Sequence, residues 1–243
     1  MNDLLIYLSI LYTGNNFEIY KALKNGKKID INLISEEIKK IKQAGVETLT
    51  IFDENYPNGL KELKYSPFVI YYKGNIDLLK ENMVSLTGDV DSDLTSENIK
   101  NTCKILAKKS VLLTNSFKNL DEKIIKEFKK HNAKIIYLLA EGISKKWDEI
   151  DKKNELCISI YPPNAHPKLK YFKERNVLNA ALSNFLIIFS SKKNSGIINL
   201  ANCFANMGKE VYCYPSIDYE DGNNFLIKSG ANLLTHIGDV SYY

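Results

Sequence analysis

The residues of this chain best suited to holding an anionic, base-bearing ligand lie in FKERNVLNAALSNFLIIFSSKKNSG, residues 172–196. Phe172, Lys173, Arg175 and Asn176 precede VLNAALS, whose apolar spacing is helical, so Arg175 and Asn176 are expected in the first turn of a helix. The helix dipole disfavours a cation there, which makes an anion-binding Arg175 more natural than a purely structural one. Beyond the apolar run FLIIFS, the turn SKKNSG places Ser195 and Gly196 at the next helix start, beside Lys192 and Lys193. Ser195 by itself is an ordinary N-cap. Together with Arg175 it forms one anion-binding mouth, because a helix N-terminus offers unpaired N–H groups to phosphate.

Two earlier turns carry less. MVSLTGDVDSDLTSEN has the single glycine Gly88, followed by Asp89, Asp91 and Asp93. Three carboxylates repel phosphate, so no dinucleotide fingerprint is present; the acids allow a magnesium site, but a polar loop capping the next helix is the better reading. LLTNSFKNLDE offers Ser116, Lys118 and Asn119 after a strand, with Asp121 near the following helix start in a surface turn. His131, His166 and His236 are far apart in sequence and have no Cys or acidic partner at ligand spacing. No nucleophile, base and orienting group assemble, so neither enzyme activity, a cofactor nor a metal is expected.

These residues must be held by a framework, and its pattern is legible. Residues 1–45 read as three helical segments, LLIYLSILY, FEIYKALKNG and INLISEEIKKIKQAG, the last two closing on Gly26 and Gly45. From Val46 on, short apolar runs follow one another: VETLTIF, FVIYYKG, MVSLTG, SVLLT, KIIYLL, LCISIY, FLIIFS, EVYCY and NLLT. Between several of them lie amphipathic segments, notably SENIKNTCKILAKK, with Ser96 as N-cap and Ile99, Cys103 and Leu106 inward, and LDEKIIKEFKKHN, with Leu120, Ile124 and Phe128 inward. Apolar strands alternating with such helices imply an α/β fold, a Rossmann-like doubly wound, mostly parallel sheet over residues 46–243, with a small helical region at 1–45.

Composition sets the outer limits. With 243 residues, 44% hydrophobic and 26% charged, the chain can bury a sizeable core. A net charge of +4 excludes indiscriminate polycation binding, so any anion site must be local. Ten lysines against three acids between Lys100 and Lys134 mark a candidate electropositive face. Cys103, Cys157, Cys203 and Cys213 are scattered without a CxxC, which speaks against zinc and disulfides and for a reducing cytoplasm. No run is long enough to span a bilayer, and no secretory leader is expected.

The order of YPNGLKELKYSPFVIYYKGN (56–75), FKERN (172–176), NSG (194–196) and YPSIDYEDGNNFLIKSGANLL (214–234) resembles the DNA-processing protein A family, also called Smf. The resemblance runs over roughly residues 46–240 and describes a short member without the C-terminal winged helix. It implies an extended Rossmann fold that is not catalytic, binds single-stranded DNA, forms a homodimer and helps to load a RecA-type recombinase. By matching position, Phe172 is the stacking aromatic, Arg175 and Asn176 line the pocket, and Ser195 and Gly196 complete it. The expected DNA contacts also include Lys173, Lys192, Lys193, Gly88, Ser116 and Lys118. Where the family has Gly-Ser-Arg, this chain has Gly88-Asp89-Val90; where it has Ser-Gly-x-Ala-x-Gly-Ile-Asp, this chain has Asn115 to Asp121 without either glycine. Two alternatives stand beside this reading: a scaffold that keeps protein partners but little DNA binding, and a nucleotide-processing enzyme of a related Rossmann family.

Overall fold

The computed structural model describes residues 1–27, 29–117, 120–216, 218 and 221–240. Each of the nine apolar runs supplies a strand: β1 Glu47–Thr50, β2 Val69–Gly74, β3 Met83–Thr87, β4 Val111–Thr114, β5 Ile135–Leu138, β6 Glu155–Ser159, β7 Leu186–Ile188, β8 Val211–Cys213 and β9 Asn232–Leu233. The chain divides into two compact units, Met1–Lys80 with Leu139–Phe172, and Glu81–Leu138 with Lys173–Tyr243.

The first unit carries helices α1 Asn2–Leu11, α2 Asn16–Lys24, α3 Ile31–Gln43 and the short α4 Asn58–Lys61. Asn15 caps α2 by accepting the Glu18 N–H, and Asp30 caps α3 by accepting that of Asn32. The glycines expected to stop α2 and α3, Gly26 and Gly45, both lie in the left-handed region, at φ +60° and +64°. Leu5 and Leu8 of α1 are fully buried, and α1 packs on α2, α3, β1 and β2. The strands of this unit run in the order β1-β2-β6 and are antiparallel, with Thr48 opposite Tyr71 and Tyr72 opposite Ile158. The sequence does not distinguish these from parallel strands, because their burial runs in blocks, eased at the start of β1 and the end of β2, without the alternation of a half-exposed antiparallel sheet.

The second unit is the doubly wound part. Its strands run in the order β5-β4-β3-β7-β8-β9, all parallel, with Val84 opposite Leu112, Leu86 opposite Ile187 and Cys213 opposite Leu233. The crossovers are helices α5 Asp93–Leu106, α6 Leu120–Lys130, α8 Gly196–Asn206 and α9 Gly222–Lys228, joined by the body of α7 Leu169–Leu182. Ile99, Cys103 and Leu106 of α5, and Leu120, Ile124 and Phe128 of α6, are buried as their spacing requires. Leu200 and Phe204 of α8 pack with Leu186, Ile188, Cys213 and Ala180 in one core cluster. Each such aliphatic side chain contributes about 1.5–3 kcal/mol by leaving water. Helix α5 begins earlier than SENIKNTCKILAKK suggests: Ser92, not Ser96, is its N-cap, accepting the Thr95 N–H at 3.1 Å. With strands β3 and β7 adjacent and the chain winding outward from both, the switch in winding direction falls between their carboxyl ends, where open α/β sheets hold ligands.

Candidate nucleic-acid interface

The loops after β3, β4 and β7 and the two helices α7 and α8 bring the sequence-predicted residues to one edge of the second unit. Helix α7 begins at Leu169, just past Pro167, so Arg175 and Asn176 lie in its second turn rather than its first. Tyr171, Arg175, Leu178, Asn179 and Leu182 form its buried stripe at helical spacing. Arg175 is only 6% exposed. It donates through Nη1 to the Asn115 carbonyl at 2.8 Å, and its guanidinium lies over the Phe117 ring, 4.8 Å from the centroid. Arg175 is therefore a second-turn residue, not the first-turn cation that the spacing of VLNAALS suggests, and its Nη1 is committed to the protein's own backbone. This arginine clamps the turn after β4 from beneath.

Asn176 is likewise buried and engaged on both sides of its amide. Ser183 Oγ donates to Asn179 Oδ1 (3.2 Å), Asn179 Nδ2 to Asn115 Oδ1 (3.0 Å), Asn115 Nδ2 to Asn176 Oδ1 (3.0 Å), and Asn176 Nδ2 to Asn199 Oδ1 (3.0 Å). This amide ladder joins α7, the end of β4 and the first turn of α8, whose Asn199 is exposed. Buried amides with every link made rigidify what they join, since a broken link leaves a desolvated polar group. Sequence reasoning misses the ladder, although Asn176, Asn179 and Ser183 fall at helical spacing on an otherwise apolar face.

Ser195 is the N-cap of α8 and accepts the Ile197 N–H at 3.1 Å, as expected. A side chain at Gly196 would meet nothing within 4 Å, so the start of α8 faces open space. Lys192 and Lys193 are exposed beside it. The loop that carries them is held on two sides. Asp89 Oδ1 accepts the Lys192 N–H at 2.9 Å, and the Asp89 N–H donates to the Ser190 carbonyl at 3.1 Å. On the other side Asn223 Nδ2 donates to the Ile188 and Tyr214 carbonyls, at 3.0 and 2.8 Å, while Ser191 Oγ donates to Asn223 Oδ1. A Cβ at Gly222 would come within 2.8 Å of the Lys192 carbonyl, so glycine is required for this approach. Gly88 plays a similar part: its absent Cβ would lie 2.7 Å from Leu120 Cδ1 and 3.1 Å from the Ser190 carbonyl. It lets the β3 turn press against that after β7.

The turn after β4 is fixed by Asp121. Its place in the sequence suggests a surface turn, yet it is 1% exposed at the start of α6. Its carboxyl accepts Thr87 Oγ1 (2.8 Å), the Phe117 N–H (2.9 Å) and Thr114 Oγ1 (3.4 Å), tying the ends of β3 and β4 to the turn. Burial pushes its pKa up to about 7, against the downward pull of those hydrogen bonds and of Arg175. Ser116 is exposed beyond it, at φ +51°. Lys118 lies outside the described residues. Phe172, 39% exposed, and Lys173, also exposed, sit on α7 in the turn before and the turn containing Arg175. The candidate interface of the second unit thus has Lys173, Ser116, Lys192, Lys193 and Gly196 exposed, with Ser195 partly so, on a frame of Gly88, Asp89, Asn115, Asp121, Arg175 and Asn176.

The other sequence candidates resolve into structural roles. Asp91 pairs with Lys123 at 2.6 Å, which holds its carboxyl below the ordinary range, and Asp93 opens α5. Among the described residues, no group of three or more His, Cys, Asp or Glu is arranged to hold a metal ion. Cys103, Cys157 and Cys213 are buried free thiols and Cys203 is half-buried. Within the lysine-rich segment, Lys123, Lys130 and Lys134 are drawn into ion pairs with Asp91, Glu127 and Glu81. No helix among the described residues is long and apolar enough to cross a membrane.

The parallel order with a central switch defines a Rossmann-like α/β protein, and the carboxyl edge at that switch is built from polar turns and helix starts without a glycine-rich dinucleotide loop. A family model described as DNA recombination-mediator protein A matches residues 47–243, and the chain belongs to this family. It is 26% identical over 224 residues to the DNA processing protein DprA of Streptococcus pneumoniae (strain ATCC BAA-255 / R6), covering 88% of this chain and 78% of that protein. It is 24% identical over 232 residues to DprA of Bacillus subtilis (strain 168), covering 90% and 78%. Among solved structures, that of DprA from Streptococcus pneumoniae aligns with a TM-score of 0.80 at 22% identity, over 100% of this chain and 99% of that one. DNA processing protein A from Helicobacter pylori, solved for its single-stranded DNA binding mode, aligns with a TM-score of 0.69 at 23% identity, over 80% and 93%. These structural likenesses bear on the fold.

Proposed function

We propose that this chain is a non-catalytic single-stranded DNA-binding protein of recombination, which holds the strand along the carboxyl edge of the second unit and helps to load a RecA-type recombinase. The observation that carries the reading is the open start of α8, where Ser195, Gly196, Lys192 and Lys193 face outward on a loop braced by Asp89 and Asn223. Helix N–H groups and two ammonium groups there suit a phosphate, and the partly exposed Phe172 ring suits a base. A strand held in this way is read by stacking and charge rather than by base edges, in keeping with Asn176 spending its amide inside the protein. A homodimer would let one strand engage two such edges and raise avidity through effective concentration.

The internal commitment of Arg175 and Asn176 favours one second reading, a scaffold that keeps the recombinase contact with little DNA binding. Titration of a labelled oligo-dT with the wild type and with a Lys192→Gln, Lys193→Gln variant separates the two. The proposed function requires binding that the double change weakens; a scaffold gives no binding at low salt.

A further inference from the structure

The first unit presents a surface that the proposed interface does not use. Helix α2 buries Ile19 and Ala22, while Phe17, Tyr20, Lys21 and Lys24, at spacings of three and four, make its outer face. Phe17 is 47% and Tyr20 52% exposed. The segment after α4 brings Tyr65, 57% exposed, against this face: the Phe17 and Tyr65 rings meet edge to face, centroids 6.2 Å apart at 84°. Lysines lie over both rings, with Lys21 Nζ 4.4 Å from the Phe17 centroid and Lys64 Nζ 5.6 Å from that of Tyr65. The nearest acid on α2, Glu18, is already bound to Lys21 at 3.2 Å.

We propose that this face of α2, with Lys64 and Tyr65, is a second contact surface for a single nucleic-acid strand. The edge-to-face pair covers only part of each ring, and about half of Phe17, Tyr20 and Tyr65 stays in water on or beside a helix that already has a buried face. Interleaved with three lysines, they match what a sequence-indifferent strand needs: ring faces for bases and ammonium groups for the phosphates between them. A protein partner would have to desolvate those ammonium groups, whereas a polyanion gains from each one by releasing counterions. A lysine resting on a ring can move to a phosphate as a base takes its place, so the cation–π contact is a resting arrangement of the same parts. The inference rests on the strand-binding reading above but concerns a separate surface.

The test is photocrosslinking of the full chain to an oligo-dT carrying 5-iodouracil, with adducts mapped on peptides, alongside anisotropy titrations of variants. Adducts at Tyr65 or Tyr20 are expected in addition to those from the second unit. Phe17→Ala and Tyr65→Ala should each weaken binding at least about fivefold, the lower bound for loss of one stacked base. Lys21→Gln with Lys64→Gln should flatten the slope of log affinity on log salt by about 1.4, at about 0.7 per phosphate contact. The lysine changes are at exposed positions and should leave the melting temperature unchanged, while each ring deletion should lower it only slightly, through loss of the Phe17–Tyr65 contact. Unchanged affinity in these variants without adducts on residues 16–65, while Lys192→Gln with Lys193→Gln still weakens binding, would overturn this inference and leave the proposed function standing. No binding by the wild type would overturn both. Self-association that Phe17→Ala abolishes, with strand binding intact, would assign the face to a protein interface and overturn the inference as well.

Discussion

Replacing Asp121 by Asn should change how stability depends on pH, and the size of the change follows from its surroundings. The Asp121 carboxyl is fully buried and pushed by burial from the ordinary 3.8 up to about 7. In the unfolded chain it ionises near pH 4, whereas in the folded chain it keeps its proton until about pH 7. Between those values the folded state binds more protons, so stability falls as pH rises through this window and levels off above it. The full effect is on the order of 4 kcal/mol, at about 1.4 kcal/mol per pH unit. An asparagine side chain at this position resembles the protonated acid: its oxygen can accept the Phe117 N–H, and the Thr87 hydroxyl can turn to accept from its amide. The assay is urea unfolding of wild type and Asp121→Asn from pH 5 to 8.5, read as the difference between them so that other carboxylates cancel. The variant should gain relative to wild type as pH rises, with most of the change below pH 7.5. A difference that stays flat across the range would refute the buried-acid reasoning, as would a variant that loses ground at high pH.

Other consequences are as direct. Arg175→Ala should destabilise the fold by about 1.5–3 kcal/mol, the range for a hydrogen bond to a charged group, because the Asn115 carbonyl no longer receives its donor, measured by thermal or urea melts. Phe172→Ala should instead leave the melting temperature nearly unchanged and cost about 1–3 kcal/mol of oligo-dT affinity by titration; a large fall in stability with intact affinity would place the ring in the core. Asp89→Ser with Val90→Arg should tighten strand binding at low salt, with the gain shrinking as salt rises; constant affinity at every salt would mean that the strand does not pass the β3 turn. The homodimer predicts a species heavier than 27.7 kDa in sedimentation at micromolar concentrations, and a 27.7 kDa species alone would count against it.

Much of the frame is legible because strands and amphipathic helices write their periods into sequence. All nine apolar runs are strands, and the inward positions of α5 and α6 follow their spacing. The antiparallel pairing of β1, β2 and β6 is not legible, since burial comes in blocks rather than alternating: β1 buries its last two residues, β2 its first three and β6 all five. At the candidate interface the residue types are visible but their directions are not. Arg175 reads as a first-turn cation only if α7 starts just ahead of it; with the helix starting at Leu169, and Tyr171 four residues before and Leu178 three after on the buried stripe, the helix turns it inward. Asp121 reads as exposed because an acid at a helix start is ordinarily solvated, and the hydrogen bonds from Thr87, Thr114 and the Phe117 N–H make its burial tolerable. The amide ladder depends on Asn115 meeting α7 across about sixty residues of chain, a contact no local pattern encodes.

If the outward-facing edge at α7 and α8 holds a single strand, that strand should be detectable by its charge and its preference over duplex. The most direct measurement is anisotropy of labelled oligo-dT and of duplex of equal length, titrated with wild type and with Lys192→Gln, Lys193→Gln across a salt series. The single strand should bind more tightly, its affinity should fall linearly on a log–log salt plot, and the slope should be shallower by about 1.4 in the variant, at about 0.7 for each phosphate no longer neutralised. Equal binding of strand and duplex, or a slope that the two lysines do not change, would contradict strand binding at this edge.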